Sequence, residues 1–305
     1  MRLTMSLIGI GLAISTATTV LAQGDGDPLL KPIAPDTAKR WLKPQSPARI
    51  FGNSYLVGFE GLNVALIKTS AGLILIDAAV PQSVLMLEDN IAKLGFKLKD
   101  VKFILSTEPH YDHGGGLAAL ARDTGATVVA SPSAAKVLLA GQSGPDDPQV
   151  SWLLPFPALK SVRTIRGGET LKLGDVTIKA VATPGHTSGS MSWTWRSCEG
   201  KTCLNMVFGS SLNPVAPDSY RFSDPAHQNV VAQFASSTRT MRALPCDILF
   251  SAHPDNSNGD IKFARFQTGA RPNPFIDRTA CRTYADNSVT ALAKRIAKEK
   301  SPAKP

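Results

Sequence analysis

The chain contains no Gly-x-Ser-x-Gly segment, no phosphate-cradling glycine loop, no internal repeat and no pair of closely spaced cysteines. The first absence removes the strained elbow of a serine hydrolase, and the second removes the backbone nest that holds nucleotide phosphates. Ser133-Ala134-Ala135-Lys136 fits a Ser-x-x-Lys pattern, but its Ser-Asp-Asn and Lys-Thr-Gly companions are missing, so the segment reads as the start of a helix. Charged residues make up 19% of the chain and hydrophobic ones 43%, the balance of a soluble globular enzyme. The net charge of +9 is scattered except in 294–304, where Lys294, Arg295, Lys298, Lys300 and Lys304 read as a solvated helix end. Nothing in that pattern calls for nucleic acid.

No apolar run reaches the roughly 20 residues needed to span a bilayer. Residues 7–14 are apolar after Arg2, and Val20-Leu21-Ala22 forms a small-residue cleavage site before Gln23, so residues 1–22 read as a signal peptide. The mature protein is expected in the periplasm, as one domain over 23–305, monomeric and without stable membrane insertion. That compartment is oxidising, so Cys198, Cys203, Cys246 and Cys281 read as disulfide partners. Cys198 and Cys203 bracket a turn between the strand-like runs 191–195 and 204–208 and could face each other across a hairpin, with Cys246 then paired to Cys281. Four cysteines still allow three connectivities.

Several apolar, β-branched runs end in a residue capable of chemistry: 73–76 before Asp77, 101–105 before Glu108, 176–181 before His186 and 248–250 before His253. In open α/β sheets the loops beyond the carboxyl ends of strands converge on one edge, so residues placed this way can meet. Apolar residues at three and four spacing over 83–94, 117–124 and 230–244 predict helices between the strands, and the alternation indicates a layered α/β fold. Residues 141–148, rich in Gly, Pro and Asp, predict a loop able to form a mobile flap over a site.

Glu108-Pro109-His110-Tyr111-Asp112-His113 places four possible metal ligands in six residues, directly before Gly114-Gly115-Gly116. Pro109 favours an extended Glu108, so Glu108 and His110, two apart, point the same way. Asp112 and His113 follow after the chain has turned and can serve a second ion. Thr183-Pro184-Gly185-His186-Thr187-Ser188-Gly189 and Ser251-Ala252-His253-Pro254 add two more histidines in the same setting, while His227 lacks it and reads as a surface or capping residue.

The order of these motifs resembles the metallo-β-lactamase superfamily over nearly the whole mature chain. The family pattern opens on His-x-His-x-Asp-His, so Glu108 departs from it. The resemblance implies an α/β fold of four layers, an αββα sandwich, with a dinuclear zinc site at one edge of its two sheets. It implies one Zn2+ held by Glu108, His110 and His186, a second held by Asp112, His113 and His253, and Asp77 behind them fixing ligand orientation.

Superfamily members acting on thioesters, lactones or phosphodiesters usually supply a bridging aspartate after a later strand, but Val207-Phe208-Gly209-Ser210-Ser211-Leu212-Asn213 has no carboxylate. Serine there, with Asn213-Pro214, resembles the third subclass of class B β-lactamases, as do residues 51–58 and the Cys246–Cys281 pair. A carboxylate in place of the first histidine resembles a minority branch of that subclass. The activity implied is hydrolysis of the lactam amide of penicillins, cephalosporins and carbapenems by water whose pKa zinc lowers from near 16 to about 7. Asp112 would orient that water, and Ser211 and Asn213 would contact it or the substrate carboxylate. Glu108 subtracts one positive charge from the site, so the water is expected to be less acidified. The alternatives are a periplasmic zinc hydrolase of lactones or thioesters and a non-catalytic metal-binding homologue.

Overall fold

The computed structural model describes residues 26–301, so segment 1–22, read from the sequence as a signal peptide, and Lys304 lie outside the described residues. One sheet runs in chain order through β1 (Ala48–Phe51), β2 (Ser54–Leu56), β3 (Ala65–Thr69), β4 (Gly72–Ile76), β5 (Val101–Leu105), β6 (Thr127–Ala130) and β7 (Arg163–Thr164). The other contains β8 (Thr170–Leu173), β9 (Val176–Ala182), β10 (Met191–Glu199), β11 (Thr202–Gly209) and β12 (Ile248–Ser251), in the order β12-β11-β10-β9-β8. Helices α1 (Pro35–Trp41), α2 (Val84–Lys93), α3 (Tyr111–Gly114), α4 (Leu117–Thr124), α5 (Pro132–Ala140), α6 (Gln228–Ala243), α7 (Gly259–Gln267) and α8 (Ala280–Lys300) connect and cover them.

Side chains alternate faces along a strand, and here both faces are apolar. In β4, Ile74 and Ile76 enter the core between the sheets, while Leu73 and Leu75 pack under α2 and α4 with Val84, Leu87, Leu117 and Leu120. In β11 and β12, Met206, Phe208, Ile248 and Phe250 point into the same central core, while Val207 and Leu249 face Met241 of α6 and Tyr284 of α8. Double-sided burial on both sheets requires a helical layer outside each, which gives the αββα sandwich that the motifs imply. Trp193 of β10 is fully buried at the centre, and its indole N–H donates to Ser106 O at 3.2 Å.

β4, β5 and β6 run parallel, as do β11 and β12, so their carboxyl ends face one edge of the molecule. Two disulfides join Cys198 to Cys203 across the β10–β11 hairpin and Cys246 to Cys281 at the start of α8. Helix α5 is capped by Ser131, whose hydroxyl accepts from Ala134 N at 3.1 Å, so Ser133 lies inside its first turn.

The basic tail is less solvated than its charge pattern predicts. Arg295 donates to Pro217 O and Tyr220 O and pairs with Glu299, while Ile296 packs against the cluster of Ala216, Phe222 and Phe234. Aliphatic residues interspersed among the lysines give the helix an inward face, which a count of charges does not reveal.

Glu88 of α2 is an unfavourable carboxylate, because burial and the adjacent Asp123 push it up to about 7 from an ordinary 4.5. Its folded form therefore binds more protons than its unfolded form across that window, and its ionisation weakens the fold as pH rises through it. Glu88→Gln is expected to leave the melting temperature unchanged below pH 4.5 and to raise it above pH 7, as measured by circular dichroism melts across this range.

Candidate metal centre

Five segments reach the same edge. Asp77 follows β4 in a left-handed conformation, φ 66°, at a cost of roughly 1–2 kcal/mol for a residue with a Cβ. Its N–H donates to Leu105 O at 2.8 Å, and its carboxylate accepts from Thr107 N at 2.7 Å and Thr107 Oγ1 at 2.6 Å, which hold the turn in place. Beyond β5 the chain bends at Thr107, is extended at His110 (φ −72°, ψ 151°) and then turns into α3, which leaves Glu108 and His110 in one ligand group and Asp112 and His113 in another. The glycines after α3 permit a close approach: Gly116 N donates to Ala79 O at 3.0 Å, and a Cβ on Gly116 would lie 2.3 Å from Ala78 O. His186 follows β9, Ser211 and Asn213 follow β11, and His253 follows β12.

These loops bring Glu108, His110 and His186 into one group and Asp112, His113 and His253 into another, with the ligand-type atoms of each group within 4.8 Å of one another. Each imidazole has one nitrogen committed outward. His186 Nδ1 donates to Asn213 O (2.9 Å), His253 Nδ1 to Gly61 O (3.2 Å) and His110 Nε2 to Asp147 Oδ2 (2.9 Å), while His113 Nδ1 lies 3.5 Å from Asp77 Oδ2. In a neutral ring the other nitrogen is then a lone pair, and these lone pairs point inward. His113 Nε2 and His253 Nε2 are 3.2 Å apart, and Asp112 Oδ2 is 3.2 Å from His253 Nε2. Glu108 Oε1, fully buried, accepts no hydrogen bond although His113 Nε2 lies at 3.2 Å and His186 Nε2 at 3.6 Å. Apart from the Gln149 amide, 3.2 Å from His186 Nε2, these inward nitrogens meet no neutral donor among the described residues; acceptors converging in this way fit a cation, and imidazole with carboxylate fits zinc.

The charges carry the same signature. Burial alone would raise the Glu108 carboxyl, but His113, His186, His110 and the Ser211 N–H outweigh it and hold it at about 2. Burial would lower the His113 imidazole, but Asp112, Glu108 and Asp77 push it up to about 10. Asp112 is likewise driven well below the carboxylate range by His113 and His253 against the opposing effect of burial.

A cleft of about 840 Å³ opens over the centre, and His110, Asp112, His186, His253 and Asn213 reach its wall. Trp41 of α1 packs against the rings of Tyr111 and His253, with centroids 6.2 and 5.8 Å away. Ser211 is fully buried and is not among the residues lining the cleft; its backbone N–H donates to Glu108 Oε2 at 2.8 Å, leaving Oε1 turned inward. The segment 210–212 is in turn fixed by α8, where Tyr284 OH donates to Ser210 O (2.8 Å) and accepts from Leu212 N (3.2 Å). His227 stands apart, stacked on Tyr220. Two residues in contact with the site, Asp147 and Gln149, fall in or beside the loop that the sequence marks only as a flap. Their residue types match ordinary turn chemistry in a Gly/Pro-rich stretch, and their burial emerges only in the folded chain.

Residues 57–199 match a family profile described as the metallo-beta-lactamase superfamily. A B3 metallo-beta-lactamase with an active-site glutamic acid is 53% identical with a TM-score of 0.84, over 91% of this chain and 100% of that one. The Rm3 metallo-beta-lactamase is 43% identical with a TM-score of 0.84, over 87% and 99%. The hydroxyacylglutathione hydrolase of Rhodospirillum rubrum is 23% identical over 164 residues, which are 54% of this chain and 52% of that protein. The chain spans about half the length of the curated relatives it matches.

A proton and a metal ion compete for the same inward nitrogen. With His113 pushed up to about 10, metal uptake at neutral pH is expected to expel about one proton per chain, and affinity is expected to rise with pH up to that value. Titration calorimetry in buffers of different ionisation enthalpy measures the proton; a buffer-independent heat contradicts it.

Proposed function

Because the chain belongs to the metallo-beta-lactamase superfamily, we propose that it is a zinc-dependent β-lactam hydrolase of the third class B subclass, working in the periplasm as a monomer once residues 1–22 are removed. The observation that carries this reading is the paired convergence of Glu108, His110 and His186 beside Asp112, His113 and His253. Glu108, His110 and His186 hold one Zn2+, and Asp112, His113 and His253 hold the other. When bound, zinc supplies acidified water and a Lewis acid for the lactam carbonyl. Asp112 Oδ2, 3.2 Å from His253 Nε2 and at the cleft wall, orients the attacking water and takes its proton. Asp77 keeps His113 in the tautomer that leaves Nε2 free. Asn213, at the cleft wall, offers its Nδ2 amide donor to the substrate carboxylate. Ser211 seats Glu108 through its backbone N–H, and its hydroxyl, buried beneath the cleft without a partner in the protein, is the group that would meet the attacking water. Penicillins, cephalosporins and carbapenems share the ring amide and the neighbouring carboxylate that this arrangement addresses.

A chromogenic cephalosporin assayed with and without a chelator, together with elemental analysis, tests the proposal. Chelator-sensitive turnover with two zinc ions per chain is expected. Turnover confined to lactones or thioesters would place the chain with the hydroxyacylglutathione hydrolase type of activity instead, and bound zinc without turnover would make it a non-catalytic homologue.

Glu108 itself yields a second expectation. The Ser211 N–H is a donor aimed at a carboxylate oxygen, and an imidazole placed there must either oppose it with its own N–H or give up the nitrogen that faces the metal. Glu108→His is expected to lower first-site occupancy, moving metal content from two ions toward one, or to shift the acid limb of the rate profile. If neither changes, the carboxylate is not a ligand.

A further inference from the structure

Residues 142–155 leave the body of the protein after α5 and return at Phe156, whose N–H donates to Gly141 O at 2.8 Å and closes the base of the loop. Inside, the loop bonds to itself: Asp147 N to Gly144 O, Val150 N to Asp147 O, Trp152 N to Gln149 O, and Gln149 N to Asp147 Oδ1. Among the described residues, the hydrogen bonds that attach it to the rest of the chain end on two imidazoles of the first group. Asp147 Oδ2 meets His110 Nε2 at 2.9 Å, and Gln149 Nε2 lies 3.2 Å from His186 Nε2.

The two contacts respond differently to a metal ion. His186 Nδ1 is already committed to Asn213 O, so Nε2 is its one available lone pair, and metal binding there displaces the Gln149 amide. His110 is held the other way round: Asp147 takes Nε2 and leaves Nδ1 for the metal, so this contact survives metal binding. A metal-bound imidazole also donates a stronger hydrogen bond to a carboxylate.

We propose that Asp147 is a positioning residue that tethers the 142–155 loop to His110 and thereby couples the order of that loop to occupancy of the first metal site. The proposal rests on the reading that Glu108, His110 and His186 hold zinc. The loop carries Val150, Trp152 and Leu154, apolar and exposed, and Trp152 lines the cleft, so the tether also sets the wall that a substrate side chain meets. Coupling of this kind is reciprocal: whatever the loop adds to zinc affinity, zinc returns as loop stability.

The test is amide hydrogen exchange on the full chain, with zinc and after chelation, combined with zinc affinity measured by competition with a chromophoric chelator. In wild type and in Asp146→Asn, an exposed neighbour, zinc is expected to slow exchange in the part of 142–155 around Asp147, where the contact with His110 is retained. Asp147→Leu is expected to lose that slowing and to bind its first zinc about 10–100-fold more weakly, with Asp147→Asn, which keeps an acceptor oxygen, in between. Melting curves of the metal-free variants separate this from misfolding, and if Asp147→Leu fails to fold, Asp147→Asn decides. Wild-type affinity in the variants, or zinc-dependent slowing retained without Asp147, overturns the tether. Wild type that takes up no zinc overturns both this and the proposed function; wild type that hydrolyses β-lactams with an unprotected loop overturns the tether alone.

Discussion

His113 Nε2 and His253 Nε2 lie 3.2 Å apart with their outer nitrogens already turned to Asp77 and Gly61, and carboxylate oxygens close in from two sides. Such a cluster of lone pairs is untenable in a buried cavity unless something positive occupies it. Without metal a proton serves, which is why His113 is held up near 10; with metal the same geometry becomes a coordination shell. The orientation of each ring is fixed from outside by an oxygen belonging to a different loop. The site is therefore a property of the assembled edge rather than of any single motif.

The sandwich sustains this arrangement. Strands buried on both faces anchor the loops at their carboxyl ends, so the left-handed turn at Asp77 and the tight approach of Gly116 to Ala78 are imposed by a frame too well packed to relax. Parallel pairing of β4, β5 and β6 in one sheet and of β11 and β12 in the other aims the loops at a common edge. Outside the second sheet, Tyr284 of α8 holds 210–212 against Glu108, and the Cys246–Cys281 bridge ties the start of that helix to the residues before β12.

Much of this was legible in the residues. Strand runs ending at Asp77, Glu108, His186 and His253 mark the edge because an apolar, β-branched run and a polar residue after it are local properties that need no tertiary knowledge. Pro109 marks the extended stretch and the glycines after His113 mark the crowding. Asp147 was not legible, since an aspartate in a Gly/Pro-rich segment looks like turn chemistry until the loop folds over His110. The burial of Ser211 was equally hidden: the residue was picked for its hydroxyl, whereas its contact with Glu108 is made by the amide that every residue but proline carries. Arg295 was misjudged because a run of positive charge conceals Leu292 and Ile296, which turn one helix face inward.

That last kind of contact has a bearing on how the chain can vary. Glu108 is seated by a main-chain donor, and a donor of that sort is not encoded by the identity of residue 211. A side chain no larger than serine leaves the seat intact, whereas proline, a bulkier residue forced into this buried position, or a displacement of the helix that carries Tyr284 takes it away. The seat of Glu108 is thus indifferent to the chemistry of residue 211 and sensitive to its size.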